Sequence, residues 1–315
     1  MKTLIVDSSH LFFRVLFSNL EQIKENEDFL LHVFLNSLFN QIKKHSPQEV
    51  ILALDSSYSW RKDFYEKNIV NLGLNDKDPY WSKFIIEGYK GHRYKDPTIK
   101  FTSLFKLMDD LYEVLNKNSN LKCIRIPKTE GDDIIGVLTK NIKNDIIIIS
   151  SDKDFVQLCK NKQVKIYDPM KFIFINGDNI NTENLLEIHI LMGDKSDNIP
   201  PVQKKMGPKT ATKLIPILDK TLSLNPSLKK IYDFNRTLIN LECIPELIQK
   251  QIIEYYNCME DNSFQFEPLF KFCQKHNLRE ISAQLFTLNL NKNKGIGRQE
   301  LDTEETLNKA VAKLF

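Results

Sequence analysis

Apolar residues in the first half of the chain fall into short, nearly continuous runs: TLIVD (3–7), EVILALD (49–55), KCIRIP (122–127) and DIIIIS (145–150). Runs of this length, rich in β-branched residues and without polar alternation, are expected of strands covered on both faces. Between them lie stretches with apolar residues three and four apart, such as DFLLHVFLNSLFNQIKKH (28–45) and FTSLFKLMDDLYEVLNK (101–117), which predict amphipathic helices. The alternation predicts an α/β domain on a mostly parallel twisted central sheet flanked by helices. From about residue 181 the apolar runs give way to helical periodicity alone, in NLLEIHILMG, TATKLIPILDK and PELIQKQIIEYYN. We therefore divide the chain into an α/β domain (1–180), a helical domain (181–290), and a linker with a short tail helix (291–315). The segment 56–100 fits neither pattern. It mixes basic with aromatic residues without a clean period, as expected of a functional or disordered insertion.

Composition narrows the class. The 315 residues are 42% hydrophobic and 27% charged, the balance of a soluble globular protein. No apolar run approaches the ~20 residues of a bilayer span. The start, MKTLIVDSSH, lacks the apolar core of a secretory signal, so a cytoplasmic protein without membrane contact is expected. The five cysteines form no CxxC pair, so neither a disulfide framework nor a zinc ribbon is indicated. Cys273 and His276 have a ligand-like spacing but no second pair, and are read as incidental. The net charge of +3 says little, because a nucleic-acid surface can be local on a nearly neutral molecule.

The distribution of acid says more. In a parallel sheet, ligands bind in the crevice beyond the carboxyl ends of the strands. Asp7 ends the first run and Asp55 the second; Glu130, Asp132 and Asp133 follow the third, and Asp152 and Asp154 the fourth. Asp194 and Asp197 appear in GDKSDN, just beyond the change of pattern. Any one of these could be a turn residue or a helix cap, with Asp132 pairing Thr129 at the start of a helix. Together they would repel and raise one another's pKa unless divalent cations neutralised them. A set of oxygen ligands without supporting His or Cys favours Mg²⁺, with Mn²⁺ as substitute. One Mg²⁺ takes only one or two protein carboxylates, so this many suggest two ions. The spacing agrees: Asp152 and Asp154 point the same way from an extended chain, and Glu130 with Asp133, like Asp194 with Asp197, share a face of a helix.

These motifs, IVDSS, LALDSS, EGYKGHR, EGDDIIG, ISSDKDFVQL and GDKSDNIP…GPKTA, resemble in order and content the 5′ nucleases, which include flap endonucleases and the 5′-exonuclease domains of bacterial DNA polymerases. WRKDF and LINLECIPELIQKQIIEYYN look most like the T-even phage ribonuclease H branch. The resemblance implies a PIN-like 5′ nuclease fold whose metal-binding acids match Asp7, Asp55, Glu130, Asp132, Asp133, Asp152, Asp154, Asp194 and Asp197. It implies that Lys90 and Arg93 contact the scissile phosphate from an arch or gateway formed by 56–100, a mobile element that orders on substrate. It also implies that 196–214 is a helix-hairpin-helix element gripping duplex DNA, with a monovalent cation there as a further implication.

The residues of that element fit the role. Pro208 suits the first position of a helix, Gly207 permits a turn before it, and free backbone N–H groups at such a terminus bind phosphate. Lys204, Lys205, Lys209 and Lys213 surround it without an intervening acid, and Thr210 lies among them. Tyr89 is a candidate for stacking on an unpaired base. The function expected is a Mg²⁺-dependent 5′ nuclease, acting as 5′-3′ exonuclease, flap endonuclease and ribonuclease H. Its substrates would be DNA and RNA–DNA hybrids as 5′ flaps and nicked or gapped duplexes, and it would remove primers during replication as a monomer. A PIN-like ribonuclease on single-stranded RNA is one alternative, which the GDKSDN…GPKTA element argues against. A catalytically inactive, structure-specific DNA-binding protein is another, which the complete acid set argues against. The tail AVAKLF is read as a docking segment for a sliding clamp or single-strand-binding protein, or as a helix packed on its own domain.

Overall fold

The computed structural model describes residues 1–91, 96–175, 182–260 and 262–290. Arg93 and the tail from 291 lie outside the described residues. A six-stranded sheet organises the chain: β1 (Lys2–Asp7), β2 (Glu49–Ala53), β3 (Leu121–Ile124), β4 (Asp145–Ile149), β5 (Val164–Asp168) and β6 (Ile173–Ile175), in the order β3-β2-β1-β4-β5-β6. The first five run parallel, and β6 returns antiparallel to β5. The four strands predicted from apolar runs are present. β5 and β6 escape such a reading because VKIYD is interrupted by an exposed lysine and IFI is three residues long with two exposed.

Alternate residues of each strand face opposite sides, as the pleat requires. Leu4 and Val6 enter a core under α1 (Ser8–Ser18), α2 (Leu20–Glu25) and α3 (Asp28–His45), while Ile5 enters the core of the other face. In β4, Ile147 and Ile149 join the first core, and Ile146 and Ile148 the second. This is why four consecutive isoleucines are needed: the strand has no exposed face.

The segment 56–100 is more regular than its sequence indicates. It folds α4 (Trp60–Asn68), a 3₁₀ turn (Ile69–Leu72) and α5 (Pro79–Glu87), capped by Ser59 and Asp78, whose side chains accept from the N–H groups of Arg61 and Tyr80. Tyr65, Ile69, Leu72, Phe84 and Tyr89 belong to a third core. The period was hidden because α4 buries an arginine, Arg61, on its inner face.

Two further helices line the sheet, α6 (Phe101–Asn118) on the first face and α7 (Gly131–Asn141) on the second. Helices dominate beyond residue 182: α8 (Thr182–Met192), α9 (Pro208–Leu214), α10 (Leu218–Leu224), α11 (Pro226–Ile239), α12 (Glu246–Cys258), α13 (Phe266–Lys275) and α14 (Arg279–Ser282). The expected boundary near 180 separates types of secondary structure rather than cores. α8 to α11 build the third core with α4 and α5, whereas α12 completes the core beneath α7, and α13 and α14 complete the core beneath α3 and α6. Among the described residues, no helix is long and apolar enough to cross a membrane.

Candidate metal-binding active site

The order of strands reverses between β1 and β4: β1 leads outward through β2 to β3, and β4 through β5 to β6. Open parallel sheets bind ligands outside the carboxyl ends at such a switch point. Asp7 is the last residue of β1 and caps α1, accepting from the His10 N–H (2.9 Å) and from the Ser150 hydroxyl (3.0 Å). Ser150, just after β4, in turn accepts from the Asp152 N–H (3.0 Å), and Asp152 accepts from the Asp154 N–H (2.9 Å). Asp55 follows β2 and accepts from the Gly131 N–H (2.6 Å) at the start of α7. Strand ends and helix starts thus hold one another through the acids.

Asp7, Asp55, Glu130, Asp132 and Asp152 share one open cleft of about 820 Å³, and Lys90 lines it too. A small adjoining cavity of about 20 Å³ is lined by Glu130, Asp132, Asp154, Asp194 and Asp197, with Arg61 and Tyr89 at its back. Such a space is just enough for one water-sized occupant. Burial, more than the Asp55 and Asp152 charges, pushes the Asp7 carboxyl up to about 7. Burial followed by the Asp7 and Asp152 charges raises Asp132 well above the ordinary range. Asp154 is likewise raised by burial to about 7, against the opposing pull of His189. Among the described residues the Asp132 carboxylate has neither a hydrogen bond nor an ion pair. A donor set of carboxylates this short of cations suits a hard divalent ion.

Lys90 and Arg14 are cations that the described residues bring into the cleft, and Lys90 is the one paired with its acids. Its Nζ lies 3.0 Å from Glu130 and 3.5 Å from Asp197, and its N–H donates to the Asp197 carbonyl (3.0 Å). Lys90, then Arg61, holds Glu130 below its ordinary pKa despite burial. Lys90 has a left-handed backbone (φ 56°), and Gly91 next to it admits no other residue, since a Cβ there would stand 1.6 Å from the Glu87 carbonyl oxygen. At the second motif, Gly193 has φ 65°, and a Cβ would stand 2.4 Å from two carbonyl oxygens. It makes the turn that presents Asp194, which accepts from the N–H and hydroxyl of Ser196 (2.6 and 2.7 Å).

Several expectations need correction. Asp133 is not in the cleft: it is fully buried, 2.7 Å from Arg61 Nη1, and accepts from Trp60 Nε1 (3.1 Å) and the Glu130 N–H (2.9 Å). It stays beside Glu130, the N-cap of α7, in a reciprocal capping box, and both carboxylates face Arg61. Tyr89 cannot stack on a base, because its ring is buried beside Tyr65 and its hydroxyl lies 3.0 Å from Asp197 and 3.2 Å from Glu130. Gly207 has an extended backbone with open space around it, so its freedom is not needed. Pro208 does open α9, and Lys205, Lys209, Thr210 and Lys213 are exposed around it. Lys204 is exposed too, but paired with Asp78.

Sequence reasoning also missed residues. His189, on α8, faces Asp154 through Nδ1 and Asp194 through Nε2, each at 3.4 Å, so the acids are not without a supporting histidine. Asp194 lies past the turn at Gly193 that ends α8, so helical spacing gave no signal of the contact. Phe13, Phe17, Phe101 and Phe105 form an aromatic wall in the large cleft with Arg14; Phe17 is 58% and Phe105 46% exposed. Phe101 and Phe105 lie in a segment read only as an amphipathic helix, and nothing in the sequence singled out Phe13 or Phe17.

Comparison with known proteins shows the family. The model of the 5′-3′ exonuclease N-terminal resolvase-like domain matches residues 2–187. The chain belongs to the 5′-3′ exonuclease family. It is a nuclease that hydrolyses phosphodiester bonds. It is similar to ribonuclease H of Enterobacteria phage T4, 29% identical over 265 residues that cover 74% of this chain and 79% of the relative. It is also similar to a 5′-3′ exonuclease of Buchnera aphidicola, 26% identical over 243 residues, 72% of this chain and 74% of that one. Among solved structures, the T5 D15 protein co-crystallised with metal ions superposes with a TM-score of 0.56 at 16% identity, covering 90% of this chain and all of that one. The chain therefore shares the fold of the T5 D15 protein.

Proposed function

We propose that this nuclease is a divalent-metal-dependent, structure-specific 5′ nuclease that uses two Mg²⁺ ions to cut 5′ flaps, nicked or gapped DNA and RNA–DNA hybrids, removing primers and flaps during replication. The observation that carries it is the excess of carboxylate over cationic side chains at the switch point of the sheet. The names of its relatives support the substrate range: a ribonuclease H, a 5′-3′ exonuclease and, among structures, a T5 flap endonuclease complexed with DNA and metal ions.

Asp7, Asp55, Glu130, Asp132 and Asp152 would surround one ion, directly or through its waters, and Asp154, Asp194 and Asp197 with the inner edge of Glu130 the other. Bound there, a metal pair lowers the pKa of a water and stabilises the attacking and leaving oxygens. The chain supplies the rest. Lys90, the counter-charge of Glu130 and Asp197, is placed to turn toward a phosphoryl oxygen and stabilise charge that develops on it. Arg93 is assigned the same role, by motif. The exposed phenyl rings of Phe17 and Phe105 offer unpaired bases a sequence-independent stacking surface, and Arg14 a backbone contact. Residues 196–214 form the DNA grip through Lys205, Lys209 and Lys213, with a monovalent cation in its hairpin. The segment 56–100 forms the gateway, the tail the docking element for a clamp or single-strand-binding protein, and the working unit is a monomer.

A labelled 5′-flap duplex and a labelled single-stranded RNA, each with Mg²⁺ and with EDTA, test the reading. Mg²⁺-dependent cut sites at the flap junction, with little cleavage of the RNA, are expected. Preferential cleavage of the RNA would instead support a PIN-like ribonuclease, and cleavage in EDTA would remove the metals from the account.

A further inference from the structure

Asp154, His189 and Asp194 each offer a ligand atom within 4.8 Å of the other two. Atoms that share one ion at about 2.1 Å lie at most about 4.2 Å apart, so small side-chain shifts close this set on a single ion. His189 Nδ1 and Nε2 both stand 3.4 Å from their carboxylates, longer than the ~2.7–2.9 Å of a charge-assisted hydrogen bond. The imidazole is therefore held between the two acids without a tight bond to either. It comes from α8, beyond the sheet, and its backbone neighbour Ile190 is fully buried, which fixes where the ring emerges.

We propose that His189 is a nitrogen ligand of the metal position formed by Asp154 and Asp194, so that the two positions of this nuclease differ in kind. One ring nitrogen joins the ion with the carboxylate it faces, while the other keeps the opposite acid as its partner, which sets the tautomer and aims the ring. The position built on Asp7, Asp132 and Asp152 keeps oxygen ligands and suits Mg²⁺. The His189 position is a mixed nitrogen–oxygen site that favours Mn²⁺ and the other first-row transition ions over Mg²⁺, because imidazole is a poor partner for Mg²⁺. This proposal rests on the reading of the acids as metal ligands.

Pulsed electron paramagnetic resonance of Mn²⁺ bound to the full-length protein reads the claim without reference to cleavage. At one and two equivalents of Mn²⁺, a ¹⁴N coupling is expected that changes to the ¹⁵N pattern when histidine is isotopically labelled. His189→Gln should abolish the coupling and weaken Mn²⁺ binding at that position by about tenfold or more, while Mg²⁺ binding changes less. His10→Gln, a histidine in the large cleft, should leave the coupling intact. Mn²⁺ bound with no nitrogen coupling in the wild-type protein, or a coupling that survives His189→Gln, would overturn the assignment while leaving the acids as ligands. Absence of Mn²⁺ binding altogether would instead contradict the proposed metal site. The labelled wild-type spectrum decides the question even if the variant folds poorly.

Discussion

The first turn of α7 separates two regions that treat acid in opposite ways. Asp132 faces the open cleft with Asp7 and Asp152, and its carboxylate has no hydrogen bond or ion pair among the described residues. Asp133, its neighbour in sequence, points into a buried wedge where Arg61 stands 2.7 Å away and Trp60 and a backbone N–H donate to its other oxygen. Burial pulls the Arg61 guanidinium down, but Asp133 and then Glu130 more than reverse this, so it ends above its ordinary value. Arg61 also donates to the Leu238 carbonyl of α11 (3.0 Å), tying the wedge to the helical layer. The wedge matches its buried carboxylate with a cation, whereas the cleft leaves the Asp132 carboxylate without one among the described residues.

Breaking the cleft should give the largest effect. Asp152→Asn or Asp154→Asn is expected to lower cleavage of a 5′-flap substrate on the order of a thousandfold, the equivalent of about 4 kcal/mol of lost charge stabilisation. Flap-duplex affinity in Ca²⁺ should change little; normal turnover by both variants would remove the two-metal assignment. Breaking the wedge should act on stability instead. Asp133→Asn leaves Arg61 without its closest partner and is expected to cost about 3–5 kcal/mol in urea unfolding.

Protonation sharpens the contrast. Asp7 has a folded-state pKa of about 7, above its unfolded value near 3.8, so the folded state binds the extra proton between those values. Metal-free stability contributed by this group is therefore full at low pH and is lost as pH rises toward 7. Metal-free Asp7→Asn should melt at a higher temperature than wild type at pH 8, and the gap should close near pH 5. The stabilisation of the wild type by Mg²⁺ should grow over the same interval, as ions replace protons. A gap that widened on acidification would contradict the burial of an unmatched charge. The smallest effect is expected at the aromatic wall: Phe17→Ala should weaken binding of a single-stranded 5′ overhang by about fivefold, near the lower end for one base–aromatic stack, without changing the melting temperature.

How much of this was legible in the sequence depends on which force set each feature. Buried parallel strands advertise themselves, because two covered faces demand continuous apolar runs such as Ile146–Ile149, and the acids after them follow from the crevice rule. The acids brought from farther along, Asp194 and Asp197, were legible from their motif. What could not be read was the partner of each group. Nothing in EGDDIIG says that Asp132 and Asp133 part company, since that depends on Arg61 approaching from α4 across 72 residues of chain. His189 sits in a helical pattern that carries no mark of a ligand, and Tyr89, set beside basic residues, reads as a surface ring. Asp168, at the end of β5, shows the same limit from the other side. It too ends a strand, yet its carboxylate accepts from Ser151, Met170 and Lys171 and serves the β5–β6 turn.

Calorimetric titration of Mn²⁺ into the paired variants Asp132→Asn and Asp133→Asn, each first shown to be folded, tests the central contrast most directly. Asp132→Asn should weaken or lose one of the metal positions while keeping wild-type stability or better; Asp133→Asn should bind metal close to normally while unfolding more easily. Loss of metal by a folded Asp133→Asn, with normal binding by Asp132→Asn, would contradict the division of acids between cleft and wedge.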